Sequence, residues 1–221
     1  MANEPKPRLT TQLLQKSAAT FAEAESQCDE KCLYGVTDGK AVGTHLEHKF
    51  LDCLSEQFAF ERSSSAKGID LPGLGVDIKV TSFRQPQSSC LYSSARQKIF
   101  GLGYSLLVFV YEKTDNESRK VARLNMQHVI YVSAEQTGDF QMTGGLRAIL
   151  QNDGNKDDLI AFMQDKNLPV DEIEAGKIAD ELLAIAPVLG YLTISNALQW
   201  RLQYGRVIEK AGTIDGILRL R

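Results

Sequence analysis

A short, almost continuously apolar segment constrains the fold of this chain more than any other sequence feature. It runs from Ser105 to Glu112 and reads SLLVFVYE. This composition is typical of a strand that is buried on both faces, because neither face then meets water. A sheet covered on both sides needs helices to cover it, so the segment predicts an α/β fold with a mixed β-sheet flanked by helices.

The segments around this strand predict the remaining elements. Residues 9–32 are rich in Ala, Leu, Gln and Glu and contain neither Gly nor Pro, which favours a helix. Glycines at positions 35, 39 and 43 then predict a loop, after which Thr44 is expected to cap a second helix that ends at Phe58. Further strands are predicted at 76–80 and 121–133, with a helix at Tyr92–Phe100 between them.

The chain changes character near residue 140. Helical spacing is found at 157–166, 171–186 and 194–211, and prolines at positions 169 and 187 separate these segments. We therefore predict an α/β core with an N-terminal helix over residues 1–140 and a helical C-terminal region over residues 141–221.

Length and composition predict a globular protein that folds without disulfides or a metal and that does not cross a membrane. With 221 residues, 43% of them hydrophobic and 24% charged, the chain can bury a core without disulfides or a metal. The polar N-terminus lacks the features of a signal peptide, and no apolar run reaches the roughly 20 residues that cross a bilayer. We expect a cytoplasmic protein that does not contact a membrane and whose four cysteines are reduced.

Two cysteines and two histidines are spaced almost as in a zinc site. Three residues separate Cys28 from Cys32, twelve more precede His45, and two separate His45 from His48. The histidine spacing is shorter than that of Cys2His2 sites. Two interpretations stay open: a zinc site, or two ordinary thiols and two histidines that face solvent.

Residues 76–80 (VDIKV) alternate as a half-buried strand does. The apolar residues take one face, so Asp77 and Lys79 lie side by side on the other face with Thr81. Asp70 lies seven residues upstream of Asp77, across a Pro-Gly turn that can fold it back. Two carboxylates held close repel each other, and a divalent cation relieves that repulsion.

A further acid falls on the apolar side of the second predicted helix. At about 100° per residue, Glu47 projects between Leu54 and Phe58. An inward-facing carboxylate costs free energy unless it is paired or binds a metal. Alternatively, Glu47 lies in the first helical turn and closes a capping box with Thr44. The sequence supports both interpretations equally.

The pattern Asp70-x6-Asp77-x-Lys79, with a preceding helix that carries Glu47 in a Gly43-x3-Glu47 context, resembles the PD-(D/E)xK nuclease superfamily. Restriction endonucleases and Holliday-junction resolvases belong to this superfamily. Its core is a helix, a β-meander, a second helix and a further strand, which is similar to the order predicted here. The resemblance therefore implies a restriction-endonuclease-like core.

The resemblance also implies Mg²⁺-dependent cleavage of DNA phosphodiester bonds. Asp70 and Asp77 would hold the metal, with Ile78 as a third metal-binding position. Lys79 would orient or polarise the attacking water, and Glu47 would be the helix-borne acid. The residue types suit this chemistry in their own right, because a Mg²⁺ on two carboxylates acidifies a bound water and a lysine adds positive charge beside the attacked phosphate.

Two positions depart from the family pattern. Ile69 stands where the name-giving proline would be, and the second acid is Asp77 rather than Glu. Gln97, on the following predicted helix, matches a polar position that some members use at the site. The alternative to a catalytic site is a surface strand in which Asp77 and Lys79 form a weak solvated pair and Asp70 caps a turn.

The net charge of −3 hides two basic segments. Residues 84–123 carry seven basic and three acidic side chains, and residues 191–221 carry five basic and two acidic ones. Arg and Gln can pair with base edges, whereas Ser and Lys suit phosphates. Near the C-terminus, Gln199 and Trp200 accompany the arginines; alternatively, the aromatic side chain packs on the core and the arginines are solvated. The candidate DNA-binding residues are Ser82, Arg84, Gln85, Gln87, Arg96, Gln97, Lys98, Arg201 and Arg206.

Together these features predict a sequence-specific type II restriction endonuclease that cuts double-stranded DNA with Mg²⁺. A homodimer is expected, together with a DNA methyltransferase that acts on the same sequence without necessarily binding this chain. The helical region at 141–221 would contact DNA or the second subunit. Two alternatives stay open: a structure-selective resolvase or repair nuclease of the same fold, and a non-catalytic binding domain with zinc on the two cysteines and two histidines.

Overall fold

The computed structural model describes residues 5–61, 68–90, 93–195 and 201–221. Helices and pairs of strands follow one another along the first two thirds of the chain, which confirms the predicted α/β class. The helices are α1 (Thr11–Glu25), α2 (Gly39–Gln57), α3 (Gln97–Phe100), α4 (Phe140–Gln151), α5 (Lys156–Asp165), α6 (Glu172–Ala184) and α7 (Gly205–Lys210). The strands are β1 (Val76–Ser82), β2 (Gln87–Ser89), β3 (Ser105–Asn116), β4 (Val121–Val132), β5 (Thr193–Ile194), β6 (Arg201–Gln203) and β7 (Ile217–Arg219).

The chain forms two compact units, and each unit is built from separate stretches of sequence. The first unit contains residues 1–86, 106–131 and 211–221, and the second contains residues 87–105 and 132–210. The sequence predicts one boundary near residue 140, between an α/β core and a helical C-terminal region, and the roles of these two regions stay predictions. No helix among the described residues is long and apolar enough to cross a membrane.

A sheet with the strand order β1-β3-β4-β7 forms the centre of the first unit. The first seven residues of β3, from Ser105 to Tyr111, are buried, as expected for a strand covered on both faces. Helix α2 packs against β1, and α1 packs against α2. Three aromatic rings join these layers, because Phe50 lies 5.0 Å from Phe21 and 5.1 Å from Phe109 between ring centroids.

The two N-terminal helices differ from their predicted bounds. Helix α1 ends at Glu25 rather than at residue 32, because the backbone of Glu30 pairs with that of Ala122 on β4 through two hydrogen bonds of 2.7 and 2.9 Å. Helix α2 begins at Gly39, where the Asp38 carboxylate accepts a hydrogen bond from the backbone N–H of Lys40. The predicted loop around residues 39–43 and the predicted cap at Thr44 are therefore wrong.

The second unit combines a small antiparallel sheet with a group of helices. Its strands are ordered β2-β6-β5, and Gln87 pairs with Gln203 in the register of β2 and β6. Helices α4, α5 and α6 pack around a core of apolar side chains, which includes Leu146, Leu159, Met163, Ile178 and Leu182.

Two predicted helices of this unit are wrong in extent. The segment 194–211 contains strand β6 and the short helix α7 instead of one long helix, and Gln199 and Trp200 lie outside the described residues. Leu202 of β6 is buried between exposed neighbours, which is the alternation of a strand. The helix predicted at Tyr92–Phe100 is reduced to α3, and Tyr92 itself lies outside the described residues.

Candidate active site

A tight turn folds Asp70 back onto strand β1. Leu71 and Val76 exchange two backbone hydrogen bonds of 3.0 and 3.2 Å across the turn. Gly75 within it has φ +62°, a conformation that favours glycine. Because the turn reverses the chain here, the Asp70 carboxylate reaches the backbone N–H of Ile78 and accepts a hydrogen bond of 2.7 Å.

The two acids and the lysine of the motif lie together at this end of β1. Asp77 is only 3% exposed and forms a side-chain hydrogen bond with Asp70. Lys79 lies on the same face, with its Nζ 2.7 Å from Asp77 Oδ2. The Ile78 side chain points the other way and belongs to the apolar core of the first unit. The alternative of a solvated surface pair does not fit, because both charged side chains are largely buried.

Burial raises the pKa of Asp77 to about 7. The charge and hydrogen bond of Lys79 oppose this shift, whereas the hydrogen bond and charge of Asp70 add to it. A buried carboxyl group beside a second one is expected to resist ionisation in this way. The raised pKa of Asp77 therefore marks a place where two acidic side chains are held close together away from water.

Glu47 faces the same cluster from helix α2. Burial raises its pKa and the negative charge of Asp70 raises it further, while the charges of Lys79 and His48 act in the opposite direction. Because α2 begins at Gly39, Glu47 lies two turns inside the helix. The capping-box interpretation is therefore wrong, and the inward-facing interpretation is the one that the structure supports.

This donor set fits a hard divalent cation. Carboxylate oxygens are the ligands that Mg²⁺ prefers, and it is commonly held by one or two of them. Asp70 and Asp77 supply these oxygens, and Ile78 can contribute only its backbone carbonyl. A cation would also offset the negative charge of Asp70, which adds to the effect of burial on the pKa of Asp77.

The last residue of β1 and the turn after it carry three of the candidate DNA-binding residues. Arg84 and Gln85 are exposed and Ser82 is half-buried. The Ser82 hydroxyl accepts a hydrogen bond from the backbone N–H of Arg84, and Thr81 donates to the carbonyl of Gln85 at 3.3 Å. These bonds hold the turn in one conformation directly beyond Lys79.

The other candidates lie in the second unit, and several have partners there. Arg96 pairs with Glu174 and Glu181. The Gln97 amide donates to the carbonyl of Leu102, and Arg206 stacks on the ring of Phe140 with its guanidinium carbon 3.8 Å from the ring centroid. Gln87 lies on β2 and Arg201 lies on β6, and these two strands pair in antiparallel orientation.

Lys98 does not lie on a surface, contrary to its proposed phosphate contact. Its side chain is buried with 4% exposure. Burial lowers its pKa, and the negative charge of Asp139 partly offsets that shift. A helix of only four residues carried too little periodicity to reveal its buried face.

Comparison with known proteins places this geometry in a family. The sequence matches the family described as "Type II restriction enzyme NspV" over residues 8–219. The type II restriction enzyme NspV from Nostoc sp. (strain ATCC 29411 / PCC 7524) is 67% identical over 210 residues, which cover 95% of this chain and 96% of that protein. The chain belongs to the NspV family of type II restriction enzymes.

Membership of the NspV family confirms the predicted restriction endonuclease, an endodeoxyribonuclease. It also makes the non-catalytic alternative wrong. No solved structure matches the chain significantly.

The four-residue zinc pattern is not assembled in this NspV-family protein. The Cys28 thiol lies 3.4 Å from the carbonyl of Ala24, and His48 lies close enough to Glu47 to influence its pKa. Cys32 and His45 do meet, at 3.8 Å between Sγ and Nδ1, and their third neighbour is Glu30. The spacing of the cysteines and histidines does not indicate Glu30, because that pattern contains no acidic position.

Proposed function

We propose that this restriction enzyme hydrolyses phosphodiester bonds of double-stranded DNA at a specific sequence and requires Mg²⁺. The observation that carries the proposal is the hydrogen bond between buried Asp77 and half-buried Asp70, with Lys79 Nζ 2.7 Å from Asp77 Oδ2. Asp70, Asp77 and the backbone carbonyl of Ile78 would hold the metal, which supplies Lewis acidity and lowers the pKa of bound water.

The side chains of the chain itself perform the remaining steps. Lys79 places a positive charge beside the attacked phosphate, where negative charge grows in the transition state. Asp77 keeps that ammonium in position through their ion pair. Burial raises the pKa of Glu47, and its position facing the acids and Lys79 suits a group that exchanges a proton with water as a general base or acid.

The turn after β1 supports DNA recognition beside this cluster. Arg84 and Gln85 are exposed there, and both side chains can form paired hydrogen bonds with purine edges in the major groove. The turn belongs to the same compact unit as Asp77. We assign it to contact the DNA next to the cut bond.

A homodimer would match a palindromic target, because a two-fold axis in the protein coincides with the two-fold axis of such a DNA sequence. A DNA methyltransferase that modifies the same sequence would protect the host genome without binding this chain. The second unit, which carries Arg201 and most of residues 141–221, would supply further DNA contacts or the subunit contact.

Cleavage of unmethylated phage DNA in Mg²⁺ tests the catalytic assignment. We expect discrete fragments from the wild type, and at least about a 10²-fold loss of rate in Lys79→Met and in Asp77→Asn. The matched controls are Lys113→Met and Asp115→Asn, because these residues form an ion pair at the same two-residue spacing on β3. Both controls should cut at nearly the wild-type rate.

Full activity in Lys79→Met and Asp77→Asn would contradict the site assignment. Cleavage of branched DNA alone, with no fragments from linear duplexes, would contradict sequence-specific restriction and indicate a structure-selective nuclease. Arg84→Ala separates two modes of DNA contact: relaxed sequence preference indicates base contact, and a salt dependence reduced by about one unit in log–log slope indicates phosphate contact. If Arg84→Ala changes neither property, Arg84 lies outside the DNA interface.

A further inference from the structure

A second group of metal-ligating side chains lies in the connection between α1 and α2. Glu30 and Cys32 belong to this connection, and His45 lies on α2. With one ligand atom taken from each residue, all three atoms lie within 4.8 Å of one another. At about 100° per residue, His45 and Glu47 project from nearly opposite sides of α2, so the group is separate from the catalytic cluster.

The individual distances resemble those between ligands of one metal ion. Cys32 Sγ lies 3.8 Å from His45 Nδ1 and 3.8 Å from Glu30 Oε2, and Glu30 Oε2 lies 3.2 Å from His45 Nε2. Metal–ligand bonds of 2.0–2.3 Å in a tetrahedral site put neighbouring ligand atoms about 3.4–3.6 Å apart. Cys32 and Glu30 lie nearest to different ring nitrogens of His45, and only one of these nitrogens can bind the ion. With one nitrogen taken, the three ligand atoms lie within 4.8 Å of one another, so a rotation of the imidazole together with small shifts of the other side chains would bring them onto one ion.

Neighbouring residues hold the Glu30 carboxylate toward this group. The Glu30 backbone is fixed to Ala122 by two hydrogen bonds. Lys49 takes the other carboxylate oxygen, Oε1, and also lies 2.7 Å from Glu25 Oε2. Oε2 is thereby left to His45 and Cys32. Partners of this kind, which orient the ligands themselves, are typical of metal sites.

A second observation, the hydrogen bonding of the buried polar atoms, also points to a cation at this group. The Nε2 atom of His45 is buried and forms no hydrogen bond with any described residue, although Glu30 lies 3.2 Å away. Glu25 beside it is 2% exposed, and its Oε1 likewise has no hydrogen-bond partner in the described ranges. Buried polar atoms without partners are rare in folded proteins, and a cation bound at His45 would give its ring nitrogen a partner.

We propose that Glu30, Cys32 and His45 form a binding site for a Zn²⁺-type divalent cation, separate from the catalytic site. A thiolate, an imidazole and a carboxylate are the donor types that zinc combines, whereas Mg²⁺ takes oxygen donors almost alone. Three protein ligands leave a fourth position for water. Cys32 is exposed, so the ion can enter from solvent.

The ion links the α1–α2 connection to the helix that carries Glu47. Binding to the folded protein and not to the unfolded chain raises the stability of the folded state with increasing metal concentration. The expected consequence is structural: zinc raises the melting temperature, and the cleavage chemistry does not pass through this site.

Cobalt(II) is the probe that reports on the thiolate ligand. Metal-free wild-type protein, prepared with EDTA, is titrated with Co²⁺, and a thiolate-to-cobalt charge-transfer band is expected at one equivalent per chain. Cys32→Ser should lose the band, and His45→Gln should weaken binding at least about tenfold. Cys28→Ser is the matched control and should keep it, because Cys28 lies outside the group. Circular dichroism of each metal-free variant checks that it folds.

Two further measurements separate this site from the catalytic one. Asp77→Asn should keep the cobalt band, and zinc should raise the melting temperature of Asp77→Asn and Cys28→Ser but not of Cys32→Ser. The proposal is overturned by a band that survives in Cys32→Ser, by equal losses in Cys28→Ser and Cys32→Ser, or by a wild-type protein that shows no band. A Glu30→Gln variant that folds and retains wild-type affinity would remove Glu30 from the ligand set and contradict the three-ligand site.

Discussion

Replacing Asp77 by Asn should stabilise the metal-free enzyme at alkaline pH while abolishing cleavage. In the unfolded chain Asp77 titrates near 3.8, and in the folded protein burial raises its pKa to about 7. A group whose pKa is raised by folding favours the folded state at low pH, and this contribution is lost as pH rises through the folded pKa. Asn keeps the size and hydrogen-bonding capacity of the side chain but cannot ionise.

The magnitude follows from the two pKa values. One pKa unit corresponds to 1.36 kcal/mol, so the difference of roughly three units amounts to about 4 kcal/mol once Asp77 is ionised in both states. At pH 5 Asp77 is ionised in the unfolded chain but still protonated in the folded protein, and the loss of stability is about 2 kcal/mol. The stability of Asp77→Asn relative to the wild type should therefore rise by about 2–3 kcal/mol between pH 5 and pH 8.

Urea unfolding in EDTA at pH 5, 6, 7 and 8 measures this difference. Asp52→Asn is the matched control, because it makes the same change at an exposed position on α2, and it should follow the wild type. Mg²⁺ at pH 8 should stabilise the wild type and not Asp77→Asn. Parallel pH curves for Asp77→Asn and the wild type would refute the argument that a buried, protonated Asp77 occupies this site.

Two further substitutions test the packing of the fold. Gly190→Ala should lower the free energy of unfolding in urea by at least about 2 kcal/mol, because the new Cβ would lie 2.1 Å from the backbone of Gly138. The control is Gly205→Ala, whose new Cβ has no described atom within 4 Å. It should change the free energy of unfolding by less than about 1 kcal/mol. Equal effects would contradict the close backbone contact. Lys49→Met removes the ion pair with Glu25 and should lower the free energy of unfolding by about 2–3 kcal/mol at pH 8. This is less than for a fully buried ion pair, because the Lys49 side chain is 36% exposed. This loss of stability should become smaller toward pH 5. Burial raises the pKa of Glu25 even beside Lys49, so without Lys49 the Glu25 side chain takes up a proton more readily as the pH falls. A loss of stability independent of pH would show that Glu25 is not the group left unpaired.

Local periodicity accounts for the parts of the site that the sequence predicted. The side chains of a strand alternate between two faces, so the spacing of Asp77 and Lys79 alone placed them side by side. The Pro-Gly turn similarly allowed the return of Asp70, which the structure shows as a hydrogen bond to Ile78. The apolar run of β3 predicted a covered strand for the same reason.

Contacts between distant segments account for what the sequence left open or predicted wrongly. Helix α1 ends early because Glu30 pairs with Ala122, more than ninety positions away in the chain. Lys98 is buried because a short helix packs into the second unit, where Asp139 supplies a nearby charge. No local pattern contains these partners.

The covered strand and the order of the acids and the lysine on β1 were predictable, because they depend on backbone geometry within a few residues. That Glu47 faces those acids rather than capping a helix, and that Glu30 joins Cys32 and His45, emerges only when the chain folds. The physical reason is that the direction of a side chain is a local property, whereas its burial and its neighbours depend on segments that meet only when the chain folds.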